Sequence, residues 1–181
     1  MQSKKLMLRR RTFLGAGLSA AAAGAAISCG GGGRGAAWRF FTPAEAQTVE
    51  AICEQIIPAD RDAGARQAGV VNYIDIQLTR HFKRYQRTYR QGLASVDRAS
   101  RAKFGQRFAE LAAERQSEAL IEVEENSRAF FDLILAHTRQ GFYGDPRHGG
   151  NRNMASWKMV GLPFPPVRGR QRYGEDQPRV G

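Results

Sequence analysis

The helical spacing of the apolar residues is the feature that most constrains how this chain can fold. From residue 41 to residue 164, apolar side chains recur every three to four positions, and the alternation typical of strands is almost absent. We therefore predict one small all-α domain over residues 41–164. It should contain five or six helices, with a Gly-rich loop and a short helix at its C-terminal end.

Local signals place the helix ends. Thr42-Pro43-Ala44-Glu45 has the pattern of a capping box with proline at the first helical position, and Pro58 ends that first helix. Ser127 is the predicted N-cap of the fifth helix, and Asn153 is a candidate cap for the short one. The predicted later helices cover about Val70 to Lys83, Tyr85 to Phe104, Glu114 to Glu125, Arg128 to Phe142 and Met154 to Val160.

Residues 1–28 have the layout of an export signal. Basic residues lead into Arg10-Arg11-Thr12-Phe13-Leu14, and a mild apolar run follows that is too short and too rich in Ala and Gly to span a membrane. The pattern of Arg10, Arg11, Phe13 and Leu14 resembles the bacterial twin-arginine signal, which a receptor reads as an address. We therefore expect residues 1–28 to be an export signal and the protein to be periplasmic. The alternative is that these residues are a disordered basic tail.

The signal is followed at once by Ala26-Ile27-Ser28-Cys29, which resembles a lipoprotein cleavage box with Ala26 where leucine is usual. Lipidation of Cys29 would anchor the mature chain to the membrane, whereas cleavage nearby would leave Cys29 as a free thiol. Residues 29–40, which include four successive glycines, are predicted to be a flexible linker. Residues 165–181 are rich in Pro, Gly and Arg and are predicted to be a disordered tail.

The net charge narrows the choice of partners. The whole chain carries +11, and removing the first 28 residues, which hold five basic residues and no acidic one, leaves +6. A moderately basic domain can bind an acidic protein, an anionic lipid surface or nucleic acid. Basic and aromatic residues are interleaved over residues 80–107, but no nucleic-acid motif accompanies them. We therefore predict no nucleic-acid partner.

Reactive side chains are few. Cys29 and Cys53 are the only cysteines, which predicts no disulfide framework, no zinc cluster and no covalently attached haem. Cys53 lies on the apolar face of the first helix, so a buried thiol is favoured over a metal-ligand or redox role. The three histidines lack metal-ligand spacing, and no nucleophile motif is present. We predict no catalytic residue, cofactor site or metal site, although a free-standing exported enzyme using His137 and His148 stays open.

The segment from residue 137 to residue 163 concentrates unusual residues. Its glycines permit tight turns, Asp145-Pro146 starts a turn, and the segment holds three large aromatic side chains. One interpretation is a loop that folds back and covers the core through Phe142 and Trp157. The other is a preshaped docking surface, because aromatic residues and arginine dominate binding hot spots. Both interpretations can be true of the same segment.

Several of these motifs resemble the gluconate 2-dehydrogenase subunit 3 family. The stretch FFTPAEAQTVEAICEQIIPAD is similar to the N-terminal motif of that family, and the twin-arginine leader agrees with it. The C-terminal signature of the family is carried by Phe130-Phe131, His137-Thr138, Gly141-Phe142-Tyr143, Asp145-Pro146, Gly149-Gly150-Asn151, Trp157-Lys158 and the run from Gly161 to Pro163. The resemblance covers most of residues 38–163, and the chain departs from the usual pattern in its Arg-rich tail and its basic 80–107 segment.

The resemblance implies a partner and not a reaction in this chain. Family members accompany a large FAD-bearing subunit of the glucose–methanol–choline oxidoreductase type, which oxidises CH–OH groups of a sugar or sugar acid. A membrane-bound multihaem cytochrome c often completes the complex. The implied role is that of a non-catalytic small subunit of a periplasmic, membrane-associated complex, aiding export, folding and stability of the large flavoprotein.

No catalytic residue is carried over by the resemblance. The candidate contact and shape residues are Phe142, Tyr143, Asp145, Gly149, Gly150, Asn151 and Trp157. Besides the free-standing enzyme, a further alternative is a lipoprotein that binds anionic surfaces through its basic face.

Overall fold

Only helices and connecting turns are found in the computed structural model, which describes residues 38–161. The predicted all-α class is confirmed for this part of the chain. Its α-helices are α1 (Pro43–Ile56), α2 (Val70–Leu78), α3 (Gln86–Phe104), α4 (Ala113–Asn126), α5 (Arg128–Tyr143) and α6 (Ala155–Met159). Short 3-10 helices lie at Lys83–Tyr85, Phe108–Glu110, Pro146–His148 and Arg152–Met154.

Some of the sequence predictions lie outside the described residues. These are the export signal with Arg10, Arg11, Phe13 and Leu14, the lipidation candidate Cys29, the linker as far as residue 37, and the tail over residues 165–181. Among residues 38–161, no helix is long and apolar enough to cross a bilayer.

Helix α1 begins as its sequence predicts. The Thr42 hydroxyl accepts a hydrogen bond from the Glu45 amide at 3.2 Å, and the Glu45 carboxylate accepts one from the Thr42 amide at 2.8 Å. This reciprocal pair satisfies two of the backbone donors that every helix leaves unpaired at its start. The helix ends at Ile56, shortly before Pro58.

Helix α2 is shorter than predicted, because it ends at Leu78 and not at Lys83. After Leu78 the chain turns, and the Phe82 amide donates back to the Gln77 carbonyl at 2.8 Å. The turn brings the Phe82 ring flat against the imidazole of His137 on α5, with the ring centroids 3.9 Å apart. Burial of this ring pair favours the turn over further helix, and the apolar spacing of the sequence does not reveal that.

The other helix boundaries agree with the prediction to within one or two residues, but two predicted caps do not form as expected. Ser127 occupies the N-cap position of α5, yet its side chain makes no capping hydrogen bond. It is the single residue between two helices, and its amide donates to the Val123 carbonyl to close α4. Asn153 does not cap α6, because Asn151 binds the α6 amide instead, as described below.

The core forms where α1, α2, α3, α4 and α5 meet. Close approach of α3 to α5 requires glycine at position 92, because a Cβ there would lie 2.2 Å from the Phe130 ring. The largest fully buried side chains are Tyr89, Phe108, Phe142, Ile52, Ile74, Leu78, Ile134, Val49, Val70 and Val96.

A buried carboxylate on α2 fixes the point where the chain enters the folded domain. Asp75 accepts hydrogen bonds from the backbone amides of Arg39 at 2.8 Å and of Phe40 and Phe41 at 3.0 Å each. Arg90 holds the same segment from the other side, since its guanidinium donates to the Phe40 carbonyl at 2.7 Å and lies over the Phe40 ring. The segment before α1 is therefore pinned to the core by its backbone.

We expect the substitution Asp75→Ala to lower the free energy of unfolding by about 3 kcal/mol or more, because it leaves three backbone donors without an acceptor. The control Asp132→Ala removes an exposed carboxylate paired with Arg128 and should cost below about 0.5 kcal/mol. Urea unfolding of both variants measures the difference. Equal losses in the two variants would show that the Asp75 contacts do not hold the segment.

Candidate functional site

Residues 144–154, which we call the 144–154 loop, fold back onto α2 and α5. The Asn72 side chain on α2 donates to the Gly149 carbonyl at 2.7 Å, and the Arg152 amide donates to the Ala68 carbonyl at 3.0 Å. Gly150 makes the closest approach, because a Cβ at this position would lie 2.2 Å from the carbonyl oxygen of Gly141 on α5. The loop thus packs backbone against backbone.

Asn151 joins the two ends of this loop. It is fully buried and has a left-handed backbone with φ of 44°, a conformation that asparagine tolerates better than most residues. Its side-chain amide donates to the Gly144 carbonyl at 2.9 Å, and its side-chain oxygen accepts from the Ser156 amide at 3.0 Å. Asn153, the residue predicted to cap α6, also has positive φ, but the hydrogen bond to α6 comes from Asn151.

Two aromatic residues predicted to cover the core do face inward. Phe142 is fully buried in the core, and Trp157 is only 9% exposed. The Trp157 indole donates to the Tyr143 carbonyl at 3.2 Å, which ties α6 to the end of α5. The predicted turn at Asp145-Pro146 also forms, with the Asp145 carboxylate accepting from the Arg147 amide at 2.9 Å.

Burial divides the seven candidate contact residues into two groups. Phe142, Gly150, Asn151 and Trp157 are buried in the isolated chain, so they can act on a partner only by shaping the surface. Tyr143 is 50% exposed, and Asp145 and Gly149 are partly exposed. Their assignment to an interface stays a prediction.

His137 is part of an aromatic cluster in the core. It is 3% exposed, its ring stacks on Phe82, and its Nδ1 lies 3.0 Å from the Tyr89 hydroxyl. Burial, assisted by the positive charge of Arg84, lowers the pKa of His137 to about 4. The imidazole is therefore neutral near pH 7, and its Nδ1 shares a hydrogen bond with the Tyr89 hydroxyl.

The other histidines have different surroundings. His81 and His148 are both exposed. The contacts described for His137 are with Phe82 and Tyr89, and not with His148. The structure therefore does not show the pair on which a free-standing enzyme would depend. Within residues 38–161, the His, Cys, Asp and Glu side chains form no group of three that could hold a metal ion.

Cys53 is buried, as predicted, and its Sγ lies 3.2 Å from the Thr138 hydroxyl. Burial raises the pKa of this thiol to about 12. Because the thiolate is the nucleophilic form, a thiol that stays protonated at neutral pH is unreactive.

An open groove of about 320 Å³ lies beside α6 and the loop before α2. Among residues 38–161, its lining includes the cationic side chains of Arg61, Arg152 and Lys158 and the carboxylate of Asp62, and it holds no histidine, cysteine, serine or aromatic ring from this range. The described part of the groove is therefore polar and mainly cationic.

Sequence reasoning missed the polar contacts that organise the domain. Asp75 is a lone acid in the apolar helix VVNYIDIQL, and that mismatch is a signal that could have marked it as a buried acceptor. The hydrogen bond between Tyr89 and His137 joins residues that are 48 positions apart, so no local sequence pattern predicts it.

The fold and this site define a small helical domain whose histidine and cysteine side chains in the core are engaged in packing. The profile of the family described as gluconate 2-dehydrogenase subunit 3 matches residues 43–163. The chain belongs to that family, which confirms the resemblance seen in its motifs. Membership makes it a small subunit of a dehydrogenase complex and implies partner subunits. Comparison with the curated proteins and with the solved structures gave no match.

Gly150→Ala should disrupt the 144–154 loop, because the new methyl group meets a backbone carbonyl that cannot rotate away. We expect a loss of about 3 kcal/mol in the free energy of unfolding and a change in Trp157 fluorescence, measured in a Trp38→Phe background. Gly105→Ala is the control, because a Cβ there meets nothing within 4 Å. Its left-handed backbone should cost about 1 kcal/mol and leave the Trp157 signal unchanged. An undisturbed Trp157 signal in Gly150→Ala would contradict the close approach.

His137 should make the domain less stable as the pH falls. Its pKa drops from an ordinary 6.5 to about 4 in the folded chain, so the unfolded chain takes up a proton first. The free energy of unfolding should therefore decrease as pH falls from about 6.5 towards about 4, and the contribution of His137 should be constant above and below that window.

The measurement is urea unfolding at pH 7 and at pH 5. His137→Gln should show a smaller loss between these two pH values than the unmodified chain, whereas the control His148→Gln, at an exposed position, should keep the full loss. An identical loss in His137→Gln and in the unmodified chain would show that this histidine does not titrate as its burial requires.

Proposed function

We propose that this chain is the non-catalytic small subunit of a periplasmic, membrane-associated dehydrogenase that oxidises a sugar or sugar acid. In this proposal the large subunit carries FAD and performs the oxidation, and a cytochrome subunit with haem c accepts the electrons in complexes that have one. The small subunit helps the large one to be exported, to fold and to stay stable. The family match over residues 43–163 is the observation that carries the proposal.

The structure of the domain supports a binding role over a catalytic one. His137 is neutral and buried against Phe82 and Tyr89, and Cys53 is a protonated thiol beside Thr138. Within residues 38–161, the lining of the groove beside α6 is polar and mainly cationic and includes no aromatic ring. The side chains of the core thus serve packing, and the flavin is assigned to the partner.

The leader gives the small subunit a second task. Twin-arginine export commonly carries proteins that are already folded, so one leader can take a bound partner across the membrane. The backbone at Arg39, Phe40 and Phe41 is fixed to Asp75 and Arg90. The first residues of the described domain are therefore held in place by backbone hydrogen bonds.

The double substitution Arg10→Lys and Arg11→Lys should retain both subunits in the cytoplasm, because the receptor reads the arginine pair. The test coexpresses this chain with a large flavoprotein subunit that has no leader, and measures sugar dehydrogenase activity in periplasmic and cytoplasmic fractions. We expect the periplasmic activity to fall at least about tenfold, because the address that the receptor reads is removed. The control Arg9→Lys should leave export unchanged.

Normal export of the flavoprotein with the substituted leader would contradict the escort role. A second outcome would contradict the accessory role itself. If the chain, purified free of flavin, oxidised a sugar or hydrolysed an ester by itself, and lost that activity in His148→Gln, the chain would be an enzyme.

A further inference from the structure

A strongly cationic surface lies where α2 ends and α3 begins. Four basic side chains are exposed there, and we call this surface the basic corner: Arg80, Lys83, Arg84 and Arg87, with the exposed His81 beside them. The corner exists because α2 stops at Leu78. After Leu78 the chain turns, forms the 3-10 helix Lys83–Tyr85 and enters α3 at Gln86, so the exposed basic side chains follow one another within this short connection and the first turn of α3.

The chain offers these charges no counter-charge. Residues 76–96 contain no Asp or Glu, and the nearest acid before them, Asp75, is buried and bound to backbone amides. Among residues 38–161, no carboxylate forms an ion pair with the four basic residues of the corner, whereas Arg90 pairs with Glu45 and Lys103 with Glu118. Residues 1–37 hold no acid, and residues 162–181 hold two acids against four arginines.

The backbone of the corner is rigid. The Gln77 carbonyl accepts from the amides of Arg80 at 2.9 Å and Phe82 at 2.8 Å, and the Gln86 side chain donates to the Leu78 carbonyl at 2.8 Å. The Phe82 ring is held by its stack on His137. Because these contacts exist before any partner arrives, little backbone entropy remains to be lost on binding.

The corner has the composition of a protein-binding surface. Arg84 lies over the Tyr85 ring at 4.7 Å, and Phe82 and Tyr85 are half-buried at its centre. Arginine and tyrosine are enriched among residues that dominate binding energy, and a patch of one sign of charge steers the encounter with a patch of the other. An acidic protein surface is the complement.

A lipid surface is a less suitable partner for the basic corner than an acidic protein surface. Apolar side chains that enter the bilayer strengthen the electrostatic attraction of a basic surface to anionic lipids, and the Phe82 ring of this corner is instead stacked on His137 inside the domain. The exposed large apolar side chains described for residues 38–161 are Trp38, Ile121, Tyr143, Met154, Met159 and Val160, none of which belongs to the corner.

We infer that the basic corner docks on an acidic surface patch of the large flavoprotein subunit. This inference rests on the proposed function. To the proposed function it adds three points: the small subunit binds through the basic corner, the surface it meets on the large subunit is acidic, and salt weakens the complex of the two subunits.

The test compares a charge reversal on the corner with a charge reversal further along α3. The corner variant is Lys83→Glu with Arg87→Glu, and the control is Arg98→Glu with Arg101→Glu. All four residues are exposed, and none forms an ion pair within residues 38–161. Arg98 lies about 16 Å along α3 from Arg87 at 1.5 Å per residue, which exceeds the Debye length of about 8 Å at physiological ionic strength.

Binding of each variant to the purified large subunit is measured by titration at low and at physiological salt. We expect the corner variant to bind at least about tenfold more weakly and the control to bind within about twofold of the unmodified chain. Binding of the unmodified chain should weaken with salt, and that dependence should be smaller in the corner variant. Urea unfolding verifies that both variants are folded, and Lys83→Gln with Arg87→Gln replaces the corner variant if reversal unfolds it.

The other outcomes separate the two proposals. If the corner variant binds the flavoprotein as tightly as the unmodified chain does, the docking face lies elsewhere and the proposed function stands. The inference is also overturned if that variant loses only its binding to phosphatidylglycerol vesicles, which would make the corner a lipid contact. If the unmodified chain does not bind the flavoprotein, the proposed function fails and the inference fails with it.

Discussion

The short helix α2 is the constraint on which the rest of the domain depends. Four of its apolar side chains, Val70, Val71, Ile74 and Leu78, lie in the core. Its polar groups hold three separate segments of the chain. Asp75 binds the backbone before α1, Asn72 binds the Gly149 carbonyl in the 144–154 loop, and the Gln77 carbonyl organises the turn into α3. Because a buried acceptor or donor without a partner costs free energy, each of these segments has one favourable position once α2 is packed.

Local patterns were enough to predict the class of fold and most helix boundaries. A capping box is contained within four residues, and the helical spacing of apolar residues survives any tertiary environment, so Thr42, Glu45 and the ends of α3 to α5 could be found from the sequence. The early end of α2 could not be, because it depends on His137, which lies 55 residues after Phe82 in the chain. The same holds for Asn151, whose neighbour in sequence, Asn153, looks equally suited to cap α6.

The candidate site was predicted as a segment but not as a set of contacts. Its aromatic and glycine residues indicated a folded-back loop, and the structure places Phe142 and Trp157 inward. Which residues reach solvent depends on the crossing of α2 and α5, which no single stretch encodes. Reactive residues show the same limit: the sequence left His137 open as a catalytic candidate, and the structure places it in the core against Tyr89. Cys53, which was predicted to be buried, lies against Thr138.

The placement of charge links the fold to the proposed role. Residues 38–161 hold eighteen basic and fifteen acidic side chains, so the domain is close to neutral and its basic corner is a matter of arrangement, not of excess charge. That arrangement follows from the end of α2, and the same helix anchors the entry of the chain at Asp75. A change on the buried face of α2 would therefore disturb entry point, loop and corner together. Only exposed positions such as Lys83 and Arg87 allow docking to be separated from folding, since their side chains make no contact on which the core depends.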